Sequence, residues 1–174
     1  LISLQKSNLK IQISPISLNE GEKTFVDRLK EYVAQHADTL KGKSLYLLRN
    51  KSKVGMGFFE AGNFYPDFIL WIDDGQKQYI SFIDPKGLRN VRQDDPKIQF
   101  YKTIKELEKR LAATAHEKVI VLNSFILSAT PYYQLLGSWS ITDADGNTVY
   151  LAERNVFMLD NPDCVADMMK KILG

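Results

Sequence analysis

Two apolar segments joined by a short polar turn constrain the fold of this chain more than any other feature. Residues 64–72 (FYPDFILWI) and 77–84 (KQYISFID) are rich in β-branched and aromatic side chains, and Asp73, Asp74 and Gly75 lie between them. Two strand-forming runs separated by such a turn pair as antiparallel neighbours. The sequence therefore predicts a β-hairpin near the middle of the chain, around which the other elements must pack.

The segments on either side of this hairpin predict an α/β fold. Helices are indicated where apolar side chains recur at helical spacing after a capping residue or a proline: residues 20–40, residues 95–115 and a short segment that starts near Pro162. Further strands are indicated at 43–49 and 118–127, and a second hairpin is indicated over about 138–159, turning at Asp145-Gly146-Asn147. The expected order is helix, three strands, helix and strand, with the hairpin and last helix appended, which describes a mixed α/β sandwich.

Length and composition indicate one soluble domain. The chain has 174 residues, of which 44% are hydrophobic and 25% are charged. We interpret residues 1–174 as a single domain with a core at about 20–125 and a C-terminal extension at about 126–174. No apolar run approaches the ~18 residues that a membrane helix needs, so we expect no membrane partner. The one cysteine, Cys164, suits a reducing cytoplasm, which is the expected location.

Three polar residues near the ends of the two hairpin strands carry the predicted chemistry. Side chains alternate along a strand, so Asp84 and Lys86 point to the same side. The antiparallel partner strand can bring Asp67 close to Asp84. Two carboxylates and an amine would then meet at one end of the sheet, among apolar side chains.

Such a carboxylate pair is costly to bury unless a cation offsets the repulsion. Oxygen ligands are what Mg²⁺ prefers, and Mn²⁺ accepts the same ligands. We predict that Asp67, Asp84 and the backbone carbonyl of Pro85 bind such an ion, and that Lys86 orients water or neutralises a phosphate. The plain alternative is that Asp67 only begins a strand and that residues 84–87 only form a turn.

Basic residues form two groups in the sequence near these acids. The first occupies a stretch from Thr39 to Phe59 that contains no acidic residue, and the second follows Lys86. A solvated surface explains the first group taken alone, whereas two groups flanking the acids favour contact with a DNA backbone without reading its sequence. The residues predicted to bind DNA are Lys41, Lys43, Arg49, Lys51, Lys53, Arg89 and Arg92.

The strand FYPDFILWI followed by YISFIDPKG resembles the P-D…(D/E)-x-K signature of the restriction-endonuclease-like nuclease superfamily. The surroundings look like the C-terminal nuclease domain of type III restriction subunits and of related DEAD/DEAH-type helicases. The resemblance covers about residues 20–125 and implies a restriction-endonuclease-like αβββαβ core, with a mixed central sheet flanked by helices. It also implies metal-dependent hydrolysis of DNA, with Asp67, Asp84 and Lys86 as catalytic residues.

The resemblance adds a fourth catalytic candidate, because a glutamate on the first helix often completes the family's site. Glu22, Phe25 and Leu29 have the spacing of that helix motif. A count of ~100° per residue places Glu22 on the side of the helix that faces the sheet. Asn19 and Glu22 also match a capping box, which would explain the glutamate by helix stability alone, and the two roles can coexist.

The functional prediction is an endonuclease domain that serves as the cleavage module of a restriction-modification or helicase-associated enzyme. The partners that the resemblance implies are DNA and an ATPase or helicase module, in the same chain or another. The given sequence itself contains no P-loop. One alternative is a catalytically silent nuclease-like module for DNA binding or docking. Another keeps the site but acts on RNA or on branched DNA in repair.

Overall fold

The computed structural model describes residues 2–4, 17–51, 55–58, 61–113, 118–139 and 151–174. The strands in these ranges are β1 (Ile2–Leu4), β2 (Ser44–Arg49), β3 (Phe68–Asp73), β4 (Lys77–Lys86), β5 (Val119–Ser128) and β6 (Val156–Met158). The helices are α1 (Glu20–Gln35), α2 (Pro96–Ala112), α3 (Tyr132–Ser138) and α4 (Cys164–Leu173).

These strands form one six-stranded mixed sheet in the order β1-β2-β3-β4-β5-β6. The first four strands pair antiparallel, and β5 and β6 each join in parallel. The predicted central hairpin is present, because β3 and β4 pair from Phe68 opposite Ile83 to Asp73 opposite Gln78. The predicted α/β class and the order αβββαβ are confirmed in the elements from α1 to β5.

Helices cover both faces of the sheet and divide the core into two clusters. On one face, α1 and α4 pack Phe25, Leu29 and Met168 against strand residues such as Leu70. On the other, α2 and α3 pack residues such as Ile104 and Leu135 against Phe82 and Ile126. No helix in the described part of the chain is both long and apolar enough to span a membrane.

Two predicted elements are shorter than expected, for local reasons. Helix α1 ends at Gln35 rather than residue 40, since Asp38 and Thr39 are weak helix formers. Strand β3 begins at Phe68 rather than residue 64, because Pro66 lacks a backbone N–H and Asn63 has a positive φ of 58°. Asp67 therefore lies just before the strand instead of within it.

Half of the predicted C-terminal hairpin, including its expected turn at 145–147, lies outside the described residues. Its expected second arm is wrong where it is described: Val156–Met158 pairs in parallel with β5. Parallel neighbours require a crossover connection, and the chain between β5 and β6 contains α3 at a position where the sequence predicts a loop. The final helix near Pro162 is present as α4.

Side chains from α2 protect the part of β5 that β6 does not cover. The Glu108 carboxylate accepts a hydrogen bond from the Leu122 N–H at 2.6 Å, and the Lys105 ammonium donates to the Leu122 carbonyl at 2.6 Å. Lys105 and Glu108 are themselves paired at 2.9 Å. Unpaired strand edges are templates for aggregation, so this pair satisfies backbone groups that would otherwise be open to another chain.

Candidate active site

Asp67 and Asp84 meet at the end of the central hairpin. The β3–β4 register pairs Phe68 with Ile83, so that one step further along Asp67 falls opposite Asp84. The two carboxyl groups are close enough for each to affect the other's ionisation, and Asp84 is only 5% exposed. The predicted convergence of these two acids is therefore present in the structure.

The environment of Asp67 raises the pKa of its carboxyl group to about 7. Burial is the main cause, followed by the charge of Asp84 and the hydrogen bond to it, and then by the charge of Glu22. Lys86 acts in the opposite direction and lowers the pKa. Two carboxylates this close repel each other when both are ionised, and a divalent cation can offset that repulsion.

The amine of Lys86 completes this group as the sequence predicted. Its Nζ lies 2.7 Å from Oδ2 of Asp84, and its side chain is 25% exposed. It also lies 6.0 Å from the centre of the Phe64 ring. Pro85 lies between these two residues and is buried. It follows the last residue of β4 that pairs with β3, so only β5 is its neighbour there, and the N–H that proline lacks is not needed for pairing with β3.

Glu22 has both of the features that the sequence left open. It forms the predicted capping box with Asn19: the Glu22 N–H donates to Asn19 Oδ1, and the Asn19 N–H donates to Glu22 Oε2. The Glu22 side chain is also buried against the sheet and accepts a hydrogen bond from Arg49 Nη2 at 2.9 Å. Its charge acts on Asp67, so Glu22 belongs to the surroundings of the acid pair.

Asn50 is the residue that sequence reasoning missed. Its backbone N–H donates to the Asp67 carbonyl at 2.7 Å, and its Nδ2 donates to the carbonyls of Pro66 and Met56 at 2.8 and 2.7 Å. Its Oδ1 accepts from the Met56 N–H. Asn50 thus connects the end of β2 to the backbone that carries Asp67. The sequence feature related to this contact is Gly55. A residue with a Cβ atom would not fit there, because that atom would lie 2.1 Å from Asn50 Oδ1.

The first basic group is divided between the two ends of the sheet. Ser44 pairs with Asp73 and Arg49 pairs with Phe68, so Lys41 and Lys43 lie at the end away from Asp67. Five residue steps along β2 correspond to roughly 17 Å at ~3.3 Å each. Of this group, Arg49 and Lys51 lie at the end of β2 nearest the acids, and Lys53 is outside the described residues.

The second basic group lies on the surface after β4. Arg89 donates a hydrogen bond to Gln134 of α3 at 2.6 Å, and Arg92 forms two hydrogen bonds to Asp94. The Arg92 and Asp94 side chains are 84% and 69% exposed. Exposed pairs of this kind contribute little to stability and exchange partners readily, so a role for both arginines in binding DNA stays a prediction.

The donor set for a metal ion is small. Among the residues that the structure describes, no three His, Cys, Asp or Glu side chains form a group that could hold a metal ion. The two carboxyl groups of Asp67 and Asp84 therefore remain as the candidate metal ligands. One or two carboxylates are what Mg²⁺ sites commonly use, with waters and substrate phosphate supplying the other oxygens. The chemistry of this pair therefore fits one hard cation.

Comparisons with protein-family models, with curated proteins and with solved structures found no match to this chain. The resemblance to the restriction-endonuclease-like superfamily thus rests on the residues themselves.

Proposed function

We propose that this chain is a metal-dependent endonuclease domain that hydrolyses DNA phosphodiester bonds. The observation that supports this most is the contact of three groups at the end of β3 and β4. Asp67 and Asp84 lie opposite each other and interact through their charges, and the Lys86 ammonium lies 2.7 Å from Asp84. A pair of acids, of which Asp84 is buried and Asp67 half-buried, with an adjacent lysine combines cation ligands with a charge for phosphate.

Each residue has a role that follows from its position. Asp67 and Asp84 hold a divalent cation, Mg²⁺ or Mn²⁺, and the carbonyl of Pro85 is a further candidate ligand. The cation, when bound, supplies Lewis-acid stabilisation of charge on the phosphate. The Lys86 ammonium, beside Asp84 and partly open to solvent, contacts the phosphate or orients the attacking water. In the reaction, water oxygen bonds to phosphorus, one P–O ester bond breaks and the leaving oxygen gains a proton.

The remaining parts of the proposal concern the setting of this domain. DNA is the proposed substrate, held by basic residues such as Lys51 and Arg89. An ATPase or helicase module, in the same or a partner chain, is the proposed source of DNA translocation, as in restriction enzymes of the resembled family. The proposed location is the cytoplasm.

A plasmid-nicking assay with Mg²⁺ tests this proposal. We expect the wild-type chain to nick DNA, and Asp84→Asn and Lys86→Met to reduce the rate ~100-fold or more, because both act on charge that develops in the transition state. Glu106→Gln is the matched control, since Glu106 is 68% exposed on α2 and pairs with Lys109. It should nick like the wild type.

Two results would overturn the proposal. Full nicking by both Asp84→Asn and Lys86→Met, in folded protein, would place the activity elsewhere. Binding of DNA with no cleavage under any divalent cation would favour the silent docking module. Parallel assays on duplex DNA, single-stranded DNA, branched DNA and RNA decide the substrate.

A further inference from the structure

The Glu22–Arg49 pair lies beside the proposed cation site but is connected differently from the acid pair. Oε2 of Glu22 accepts hydrogen bonds from the Asn19 N–H and from Arg49 Nη2, both at 2.9 Å. The Glu22 and Arg49 side chains are 7% and 25% exposed. A carboxylate oxygen with a guanidinium and a backbone N–H on it is already neutralised.

Moving Glu22 toward a cation would break this arrangement. It would break the hydrogen bond that Arg49 donates to Glu22 and the one that the Asn19 N–H donates to Glu22. Separating a partly buried ion pair is unfavourable because each charge loses a contact that water replaces only in part. The two bonds therefore oppose any shift of Glu22 into a coordination shell.

The charges of the site also favour a single cation. Glu22 and Arg49 cancel each other, which leaves the two carboxyl groups of Asp67 and Asp84 and the ammonium of Lys86. One divalent cation already exceeds the net negative charge of those three groups. Among the residues that the structure describes, no third acidic side chain joins Asp67 and Asp84 in a metal-binding group, so a second cation would meet the charges of Arg49 and Lys86.

We infer that Arg49 is a positioning residue that holds Glu22 outside the cation's coordination shell, so that the site binds a single divalent cation between Asp67 and Asp84. This inference rests on the proposed function, since it assumes that the acid pair binds metal. It gives Arg49 a role distinct from contact with DNA, and it gives Glu22 the role of a charge partner instead of a ligand.

Titration of the full chain with Mn²⁺, without nucleic acid, tests the inference by calorimetry and by electron paramagnetic resonance of unbound Mn²⁺. We expect one Mn²⁺ per wild-type chain. The decisive variant is the charge-neutral double substitution Glu22→Gln with Arg49→Gln. It should bind one Mn²⁺ with affinity within about twofold of wild type, whereas loss of a true ligand would weaken binding about tenfold or more, equivalent to ~1.4 kcal/mol.

The single substitutions of Arg49 show how the pair works. Arg49→Gln releases Glu22, so we expect tighter binding or a second Mn²⁺ per chain. Arg49→Lys keeps a positively charged side chain within reach of Glu22, so we expect this variant to bind one Mn²⁺ per chain. Lys77→Gln removes the same charge at the far end of β4 and should not change the stoichiometry. Circular dichroism melts confirm folding, and the double variant keeps the test valid if Arg49→Gln does not fold.

The outcomes separate this inference from the proposed function. If the wild type binds no Mn²⁺, or if Asp84→Asn binds it equally well, the proposed metal site itself is wrong. If Asp84→Asn loses Mn²⁺ and the double variant loses it too, Glu22 is a ligand and only the inference about Arg49 is wrong. Two Mn²⁺ per wild-type chain would also overturn it.

Discussion

Asp67 is the residue whose ionisation the fold changes most clearly. Its pKa is about 7 in the folded chain, whereas an unfolded aspartate has a pKa of ~3.9. Between these values the folded state binds more protons than the unfolded state. The free energy of unfolding contributed by this group is therefore greatest below about pH 4, decreases as pH rises and levels off above about pH 7.

This gives a pH prediction for the metal-free protein. With EDTA present, urea unfolding of wild type should show lower stability at about pH 8 than at about pH 5, and Asp67→Asn should reduce that difference because it removes the titrating group. If Asp67→Asn keeps the wild-type slope, the raised pKa of Asp67 is not the cause.

Asn50 supports Asp67 through the backbone. Replacing it by alanine removes the side-chain bonds to Pro66 and Met56, each worth ~0.5–1.5 kcal/mol. We expect Asn50→Ala to lower the free energy of unfolding by about 1–3 kcal/mol and to reduce nicking, because Asp67 loses its fixed position. Asn90→Ala, at an exposed turn position, is the control. Wild-type stability and rate in Asn50→Ala would contradict this role.

The sheet edge formed by β5 gives a prediction for a whole element. Glu108→Ala removes the acceptor for the Leu122 N–H, so we expect a loss of about 1 kcal/mol in unfolding free energy and faster aggregation on heating. Glu106→Ala changes a neighbouring glutamate whose ion pair is exposed, and it should change neither property measurably. If the two variants have the same unfolding free energy and aggregate at the same rate in light scattering, Glu108 does not protect the edge of β5.

Local sequence patterns predicted the strands and the helix that form the site. They did not predict features that depend on contacts between residues distant in the sequence. The periodicities of 64–72 and 77–84 and the turn between them were enough to place Asp67 opposite Asp84, because antiparallel register follows from a short turn. The pairing of β6 with β5 depends on a crossover, which no local pattern encodes. The same holds for Arg49, whose bond to Glu22 joins residues 27 positions apart.

At the scale of the whole molecule, the C-terminal helix is part of the main hydrophobic core, although the sequence places it in an extension. Helix α4 contributes Cys164, Val165 and Met168 to the cluster that also contains α1. Met168 is fully buried, so Met168→Ala should cost about 2–5 kcal/mol in unfolding free energy. Lys170→Ala, at an exposed position of the same helix, is the control.

Truncation tests the same dependence more severely. A chain that ends at residue 159 exposes the apolar surface under α4, and we expect it to lose cooperative urea unfolding. A sharp two-state transition of near wild-type stability in that shortened chain would show that the rest of the fold does not need α4.

The central claim is that Asp67 and Asp84 together form a cation site with Lys86 beside it. The most direct measurement is anomalous diffraction from crystals of the full chain soaked in Mn²⁺. We expect one anomalous peak within ligand distance of carboxyl oxygens from both aspartates, and we expect Asp84→Asn to lose it. A peak elsewhere, or no peak at this pair in protein that still nicks DNA, would contradict it.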